Sequence, residues 1–200
     1  MRLGLFGGTF DPPHLGHLQM AQEAVEQLSL DLLQFVVARL SPHKVGASNS
    51  PARLRAEMTR AAIAGNPKFR VNELELARQG PSYTVDTVRH LRDEYRDAHL
   101  FLLLGADQLA EFSQWREPDS IADLVTVAAL GRNGVDPDRL TPITLPSGRE
   151  LEFTVIRARR IDLSSTEIRA RVREDRSIRY LVPSSVREII ENHRLYRSVP

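Results

Sequence analysis

Apolar residues along the chain fall into short runs separated by glycine, proline and charged turns, and these runs alternate with longer stretches of helical spacing. Leu3 to Phe6, Leu32 to Ala38, Phe69 to Leu76, His99 to Leu104, Leu124 to Leu130 and Phe153 to Ile156 read as strands. Between the first two, Leu15, Leu18, Ala21, Val25 and Leu28 recur at helical spacing. Pro51 to Gly65 predicts a second helix, closed by the stop chemistry of Gly65-Asn66-Pro67. Val85 to Tyr95 predicts another, and Pro183 to Tyr196 a final amphipathic helix packed back on the sheet. His99 to Leu104 is the most apolar run and should be a central strand buried on both faces. The alternation predicts an α/β fold, one domain over 1–200 with a parallel sheet flanked by helices on both faces. Residues 131–150, rich in Pro, Gly, Asp and Arg, read as an irregular surface excursion.

Polar residues capable of chemistry gather where strands end, which is where ligands bind on such sheets. After the first strand comes Gly7-Gly8-Thr9-Phe10-Asp11-Pro12-Pro13-His14-Leu15-Gly16-His17. The paired glycines permit positive φ or close approach to a ligand. The prolines are suited to starting a helix, with Asp11 as its cap. His14 and His17 then share one face of the first turn, beside the N–H groups and positive dipole end that attract phosphate. The second strand runs into a loop, Arg39 to Pro51, that holds His43 and Lys44. Thr84 reads as a helix cap. Asp107, just past the central strand, suits hydrogen bonds from a ribose diol or the cap of the next helix, and both roles are compatible. Ser164 or Ser165 caps a late helix, with Glu167 at capping-box spacing from Ser164. Arg169, one turn on, brings a guanidinium to the same face, where hydroxyls and N–H groups would converge on a triphosphate.

Composition narrows the picture. With no cysteine, disulfides, thiolate metal sites and a Cys nucleophile are excluded. No apolar run is long enough to span a membrane and no signal peptide is recognisable, so the chain reads as cytoplasmic. The basic residues are nearly all arginine, which makes Lys44 stand out in its polar loop. Arginines crowd the stretch from Arg157 to Arg179, but Glu167, Glu174 and Asp175 interleave with them and net charge is +1, so an ion-paired helix is expected rather than a nucleic-acid face. Composition leaves room for a homo-oligomer. Neither GxxxxGK[ST] nor GxGxxG follows a strand, which sets aside P-loop and dinucleotide-dehydrogenase readings.

Read with Ser41-Pro42-His43-Lys44, Tyr83-Thr84-Val85-Asp86-Thr87, Gly105-Ala106-Asp107 and Ser164 to Arg169, the first loop resembles the bacterial nicotinate mononucleotide adenylyltransferases over nearly the full chain. The two histidines are shared with other nucleotidyltransferases and speak for the chemistry, whereas the middle segments speak for the substrate. The resemblance implies a single Rossmann-like nucleotidyltransferase domain that joins ATP to nicotinate mononucleotide and releases pyrophosphate. It implies catalytic roles for His14, His17, Lys44 and Arg169, and ATP contacts from Gly7, Gly8, Thr9, Phe10, Gly105, Asp107, Ser165 and Thr166. It further implies that the Thr84 N–H meets the nicotinate carboxylate, that Trp115 stacks on the pyridine ring, and that the Arg116 N–H is a second donor. Mg²⁺ would arrive with ATP, without a metal site of the protein's own. Two alternatives stand beside this reading: a phosphopantetheine-type adenylyltransferase with the same loop, and a nucleotide-sensing or RNA-binding module that keeps the fold without catalysis.

Overall fold

In a computed structural model of the chain, which describes residues 1–40, 50–130, 142–159 and 161–197, six strands form one parallel sheet in the order β3-β2-β1-β4-β5-β6. The strands are β1 (Arg2–Gly8), β2 (Leu32–Val37), β3 (Phe69–Asn72), β4 (His99–Gly105), β5 (Thr126–Leu130) and β6 (Phe153–Ile156). The helices are α1 (Leu15–Gln27), α2 (Ala52–Ile63), α3 (Leu74–Ala77), α4 (Thr84–Glu94), α5 (Ala106–Ala110), α6 (Pro118–Leu124), α7 (Ser165–Arg173) and α8 (Ser184–Asn192). Strand order reverses beside β1: the chain moves outward to β3, then crosses back to β4 on the other side. A crevice at the carboxyl ends of β1 and β4 is the expected result.

The run predicted to be central is central. Phe6 pairs with both Phe35 of β2 and Leu103 of β4, so β1 and β4 lie inside the sheet. Side chains alternate across β4 in the strand period of two. Phe101 and Leu103 enter a cluster with Met20, Ala24 and Phe35 on one face. Leu100, Leu102 and Leu104 enter a second cluster with Val85, Val88 and Leu91 on the other. Burial on both faces explains why this stretch shows no polar alternation.

Three sequence expectations are corrected. Phe69 to Leu76 is not one strand: β3 ends at Asn72, whose side-chain oxygen accepts the Leu74 N–H at 2.8 Å and turns the chain into α3. Leu124 closes α6, begun by Pro118 at its first helical position, and the strand starts at Thr126. The last helix is shorter than predicted, and it packs on α2 instead of the sheet. Val186 and Ile190 meet Met58 and Ile168 in a third apolar cluster. Of the excursion at 131–150, residues 131–141 lie outside the described residues. The remainder, 142–150, is irregular and mostly exposed, as expected, with one Thr144–Glu150 antiparallel bridge and Leu145 buried. Among the described residues, no helix is long and apolar enough to cross a membrane.

Candidate active site

Where the strand order reverses, a cavity of about 730 Å³ opens at the carboxyl ends of β1 and β4. Its floor and one wall come from the first loop. Phe10 takes a left-handed backbone (φ 48) and is buried, its ring edge-on to His17 with centroids 5.1 Å apart. The helix that follows does not start at the prolines and is not capped by Asp11. His14 is the N-cap, with φ −142 and ψ 170. Its Nδ1 accepts the His17 N–H at 3.4 Å, and the His17 Nδ1 accepts the His14 N–H at 3.2 Å. An imidazole Nδ1 stands as far from Cβ as an asparagine side-chain oxygen does, so histidine can fill a position usually held by Asn or Asp. Asp11 is unavailable for capping. Its buried carboxylate accepts from the Ser50 N–H at 3.0 Å and the Tyr196 hydroxyl at 2.6 Å.

The reciprocal cap sets the chemistry of the pair. A neutral imidazole that accepts at Nδ1 carries its proton on Nε2, so both rings are held as Nε2–H donors. They stack, with centroids 3.7 Å apart and planes 28° apart. Gly16 between them leaves the rings their room: a Cβ there would lie 3.1 Å from His14 Nδ1 and 3.2 Å from its Cε1, so the His14 ring would have to give by a few tenths of an ångström. His17 lines the cavity, and His14, itself buried, stacks against the His17 ring.

The opposite side of the same end is α7. Ser164 is its N-cap, accepting the Glu167 N–H at 3.1 Å, which decides between the two serines. Ser165 instead donates its hydroxyl to the Pro12 carbonyl at 2.8 Å. Arg169 donates from Nη1 to the Asp11 carbonyl at 2.8 Å and from Nη2 to Thr166 Oγ1 at 3.2 Å. Ser165, Thr166 and Arg169 all line the cavity, as do Gly7, Gly8 and Thr9. One expected contributor, Lys44 in Ser41-Pro42-His43-Lys44, lies outside the described residues.

Two more helix starts complete the walls. Gly105 is the N-cap of α5, its N–H donating to Gln108 Oε1 at 3.3 Å. Asp107 therefore does not cap α5. It is exposed and lines the cavity, which leaves its carboxylate for a ligand. Tyr83 is the N-cap of α4, and Thr84 is the first helical residue instead of the cap. Trp115 lines the far end against Phe112, ring centroids 5.4 Å apart, and belongs to the apolar cluster on that face despite its polar neighbours in sequence. The Arg116 guanidinium lies 4.7 Å over the Tyr83 ring, so the two walls meet across this end.

Sequence reading missed three residues at or behind the cavity. Glu75 of α3 lines it while being largely buried, and accepts the Thr87 hydroxyl at 2.7 Å. Burial pushes its carboxyl above the ordinary range, against the hydroxyls of Thr87 and Ser82 and the Arg78 guanidinium. The other two are Arg55 and Tyr196, which lie behind the loop. Arg55 had a signal in the sequence: it occupies the buried face of α2 with Ala56, Met58, Thr59 and Ile63, where the pattern calls for an apolar residue.

The Cytidylyltransferase-like family model matches residues 5–171 of the chain. The chain is 44% identical to a probable nicotinate-nucleotide adenylyltransferase of Thermus thermophilus over 201 residues, covering 98% of this chain and 100% of that protein. It is 42% identical to another of that name from Exiguobacterium sibiricum, covering 98% of this chain and 99% of the relative. In structure it resembles a Plasmodium falciparum nicotinic acid mononucleotide adenylyltransferase complexed with NaAD, with a TM-score of 0.78 at 17% identity, covering 98% and 97% of the two chains.

Proposed function

We infer, on the premise that the chain belongs to the cytidylyltransferase-like family and within it to the nicotinate-nucleotide adenylyltransferases, that the cavity joins ATP to nicotinate mononucleotide. The products are nicotinate adenine dinucleotide and pyrophosphate, a step of NAD biosynthesis. One phosphate oxygen of the mononucleotide attacks the α-phosphorus of ATP in line. The bond from that phosphorus to the bridging oxygen breaks, and pyrophosphate leaves with the electron pair.

The observation that carries the mechanism is the reciprocal histidine cap. A phosphate monoester has a second pKa of about 6, so the nucleophile is already anionic at neutral pH and needs no general base. What the protein supplies is alignment and relief of charge at the transition state. Imidazoles held with their protons on Nε2 suit that task, because they donate to phosphate oxygens without competing for the nucleophile's proton. We assign His14 to the α-phosphate, and His17, Lys44, Thr166 and Arg169 to the β- and γ-phosphates. Asp107 is assigned to the ribose, and Thr84, Trp115 and the Arg116 N–H to the nicotinate.

Mg²⁺ fits this arrangement as a passenger on ATP, since it keeps several waters and leans on substrate phosphates. Among the described residues, the groups around the phosphate end are imidazoles presenting N–H, hydroxyls and a guanidinium, which suit phosphate oxygens better than a hard cation. Asp11, the carboxylate of that loop, is engaged by Ser50 and Tyr196. Bound with ATP, the ion would supply charge neutralisation to the departing pyrophosphate.

The test is to supply Mg-ATP with nicotinate mononucleotide, nicotinamide mononucleotide or phosphopantetheine in separate reactions, following pyrophosphate and the adenylylated product. Turnover favouring the nicotinate form is expected. Preference for the amide would keep the mechanism and overturn the roles of Thr84, Trp115 and Arg116. Turnover with phosphopantetheine alone would overturn the reading of the acceptor.

A further inference from the structure

Behind the first loop lies a buried polar cluster that the reaction does not itself call on. Arg55 of α2 is 1% exposed and spends its guanidinium on three backbone carbonyls. Nη1 donates to Thr9 at 2.7 Å, Nε to Ser50 at 3.0 Å and Nη2 to Arg39 at 3.1 Å. Asp11 is equally buried, and its charge compensates that of Arg55. Its partner Tyr196 comes from beyond α8, 185 residues further along the chain. The hydroxyl also lies 4.0 Å from Met58 Sδ, so the phenol is seated between α2 and the loop. Burial first, and then the neighbouring Asp11 carboxylate, push the ionisation of the Tyr196 phenol far upward, which keeps it a donor at any working pH.

We propose that Tyr196 and Arg55 are positioning residues for ATP, holding Thr9 to Asp11, and through them the start of α1 at His14, in the arrangement that receives the phosphates. The inference rests on the reading of the cavity as an ATP site. Its logic is electrostatic and conformational together. Phe10 holds a left-handed backbone that costs energy for any residue but glycine, so it persists only where its neighbours are fixed. Thr9 is fixed by Arg55 on one side, and Asp11 by Tyr196, Ser50 and Arg169 on the other.

The same contacts deal with repulsion. Backbone carbonyls and a carboxylate beside a polyphosphate site would oppose an anionic ligand. In this loop the carbonyls of Thr9, Asp11 and Pro12 each accept from Arg55, Arg169 or Ser165, and the Asp11 carboxylate accepts from Tyr196 and a backbone N–H. Removing the phenol hydroxyl takes one of those two donors from a buried negative charge next to the phosphates.

Steady-state kinetics of Tyr196→Phe and Arg55→Lys, with each substrate varied in turn and unfolding followed in parallel, test the proposal. Tyr196→Phe should fold, and its kcat/KM for ATP should fall about tenfold, as expected for loss of one charge-assisted hydrogen bond. Its KM for nicotinate mononucleotide at saturating ATP should not change. Arg55→Lys keeps the charge but cannot reach three carbonyls with one ammonium, so its loss should be larger. Unchanged ATP kinetics in Tyr196→Phe alongside a lowered melting temperature would overturn the proposal, as would equal losses for both substrates. Should Arg55→Lys fail to fold, Tyr196→Phe alone decides. Should the wild-type chain fail to adenylylate nicotinate mononucleotide, the functional reading fails separately. Calorimetric titration with ATP alone then decides, since equal affinity in wild type and Tyr196→Phe overturns the positioning role.

Discussion

At His17 the two nitrogens of one ring have separate duties: Nδ1 caps the backbone and Nε2 carries the proton proposed for phosphate. Asparagine can place an oxygen where Nδ1 sits but has nothing at the position of Nε2. His17→Asn is therefore expected to retain the melting temperature and to lose roughly 3 kcal/mol of transition-state stabilisation, by analogy with loss of one oxyanion donor. His17→Ala should lose that and about 1 kcal/mol of stability with the cap. Measuring kcat/KM and urea unfolding on both separates the duties, and normal turnover by His17→Asn would remove the ring from the chemistry. Glu75 offers a second check. Its folded-state pKa is raised, so between its ordinary value of 4.5 and the raised one the folded state binds more protons than the unfolded, and stability falls as pH rises through that window. Glu75→Gln keeps an acceptor for Thr87 without the buried charge. It should melt higher than wild type near neutral pH, with the difference vanishing once the pH falls below 4.5. Residues at this scale were legible when their partners were adjacent in sequence, as in the histidine pair. Glu75 and Tyr196 were not, because their partners come from other elements.

Helix starts set the site, and four of them converge: α1, α4, α5 and α7 all begin at residues that line or underlie the cavity. Strand runs and the long helices could be read directly, since burial on one or both faces leaves a periodic trace. The short α3 and α6 could not. Four or seven residues hold too few apolar positions to show a period, and each is begun by a local device, an Asn72 turn or Pro118. Gly16 shows the tension between an element and the site it presents. Replacing it with Ala favours the α1 helix by up to about 1 kcal/mol. The new Cβ, however, would press on a His14 ring already fixed by its cap and its stack. Gly16→Ala should thus leave thermal stability unchanged or raised while kcat/KM drops about ten- to a hundredfold, the scale expected for a misplaced reacting group. Unchanged turnover would show that the ring yields without consequence.

Across the whole molecule, the two faces of the sheet carry separate cores, and a third joins α2, α7 and α8 at the back of the phosphate end. Pattern alone showed that the last helix had an apolar face. It did not show which surface received it, because the partner face on α2 also carries Arg55 and Thr59 and so looks half polar in sequence. Ile190→Ala, which opens this third core, should cost about 2–5 kcal/mol in urea unfolding. A cost near zero would mean that α8 contributes little to the fold. The hydrogen bond from Tyr196 to Asp11 has a further consequence, in time rather than in space. Ribosomes add about 5–20 residues per second, so the loop bearing Asp11 emerges roughly 10–40 s before the residue that completes it. A nascent chain can assemble most of its sheet in that interval. It lacks the Tyr196 contact to Asp11 until translation has passed Tyr196, so products of premature termination would be folded in part and weakened in their use of ATP.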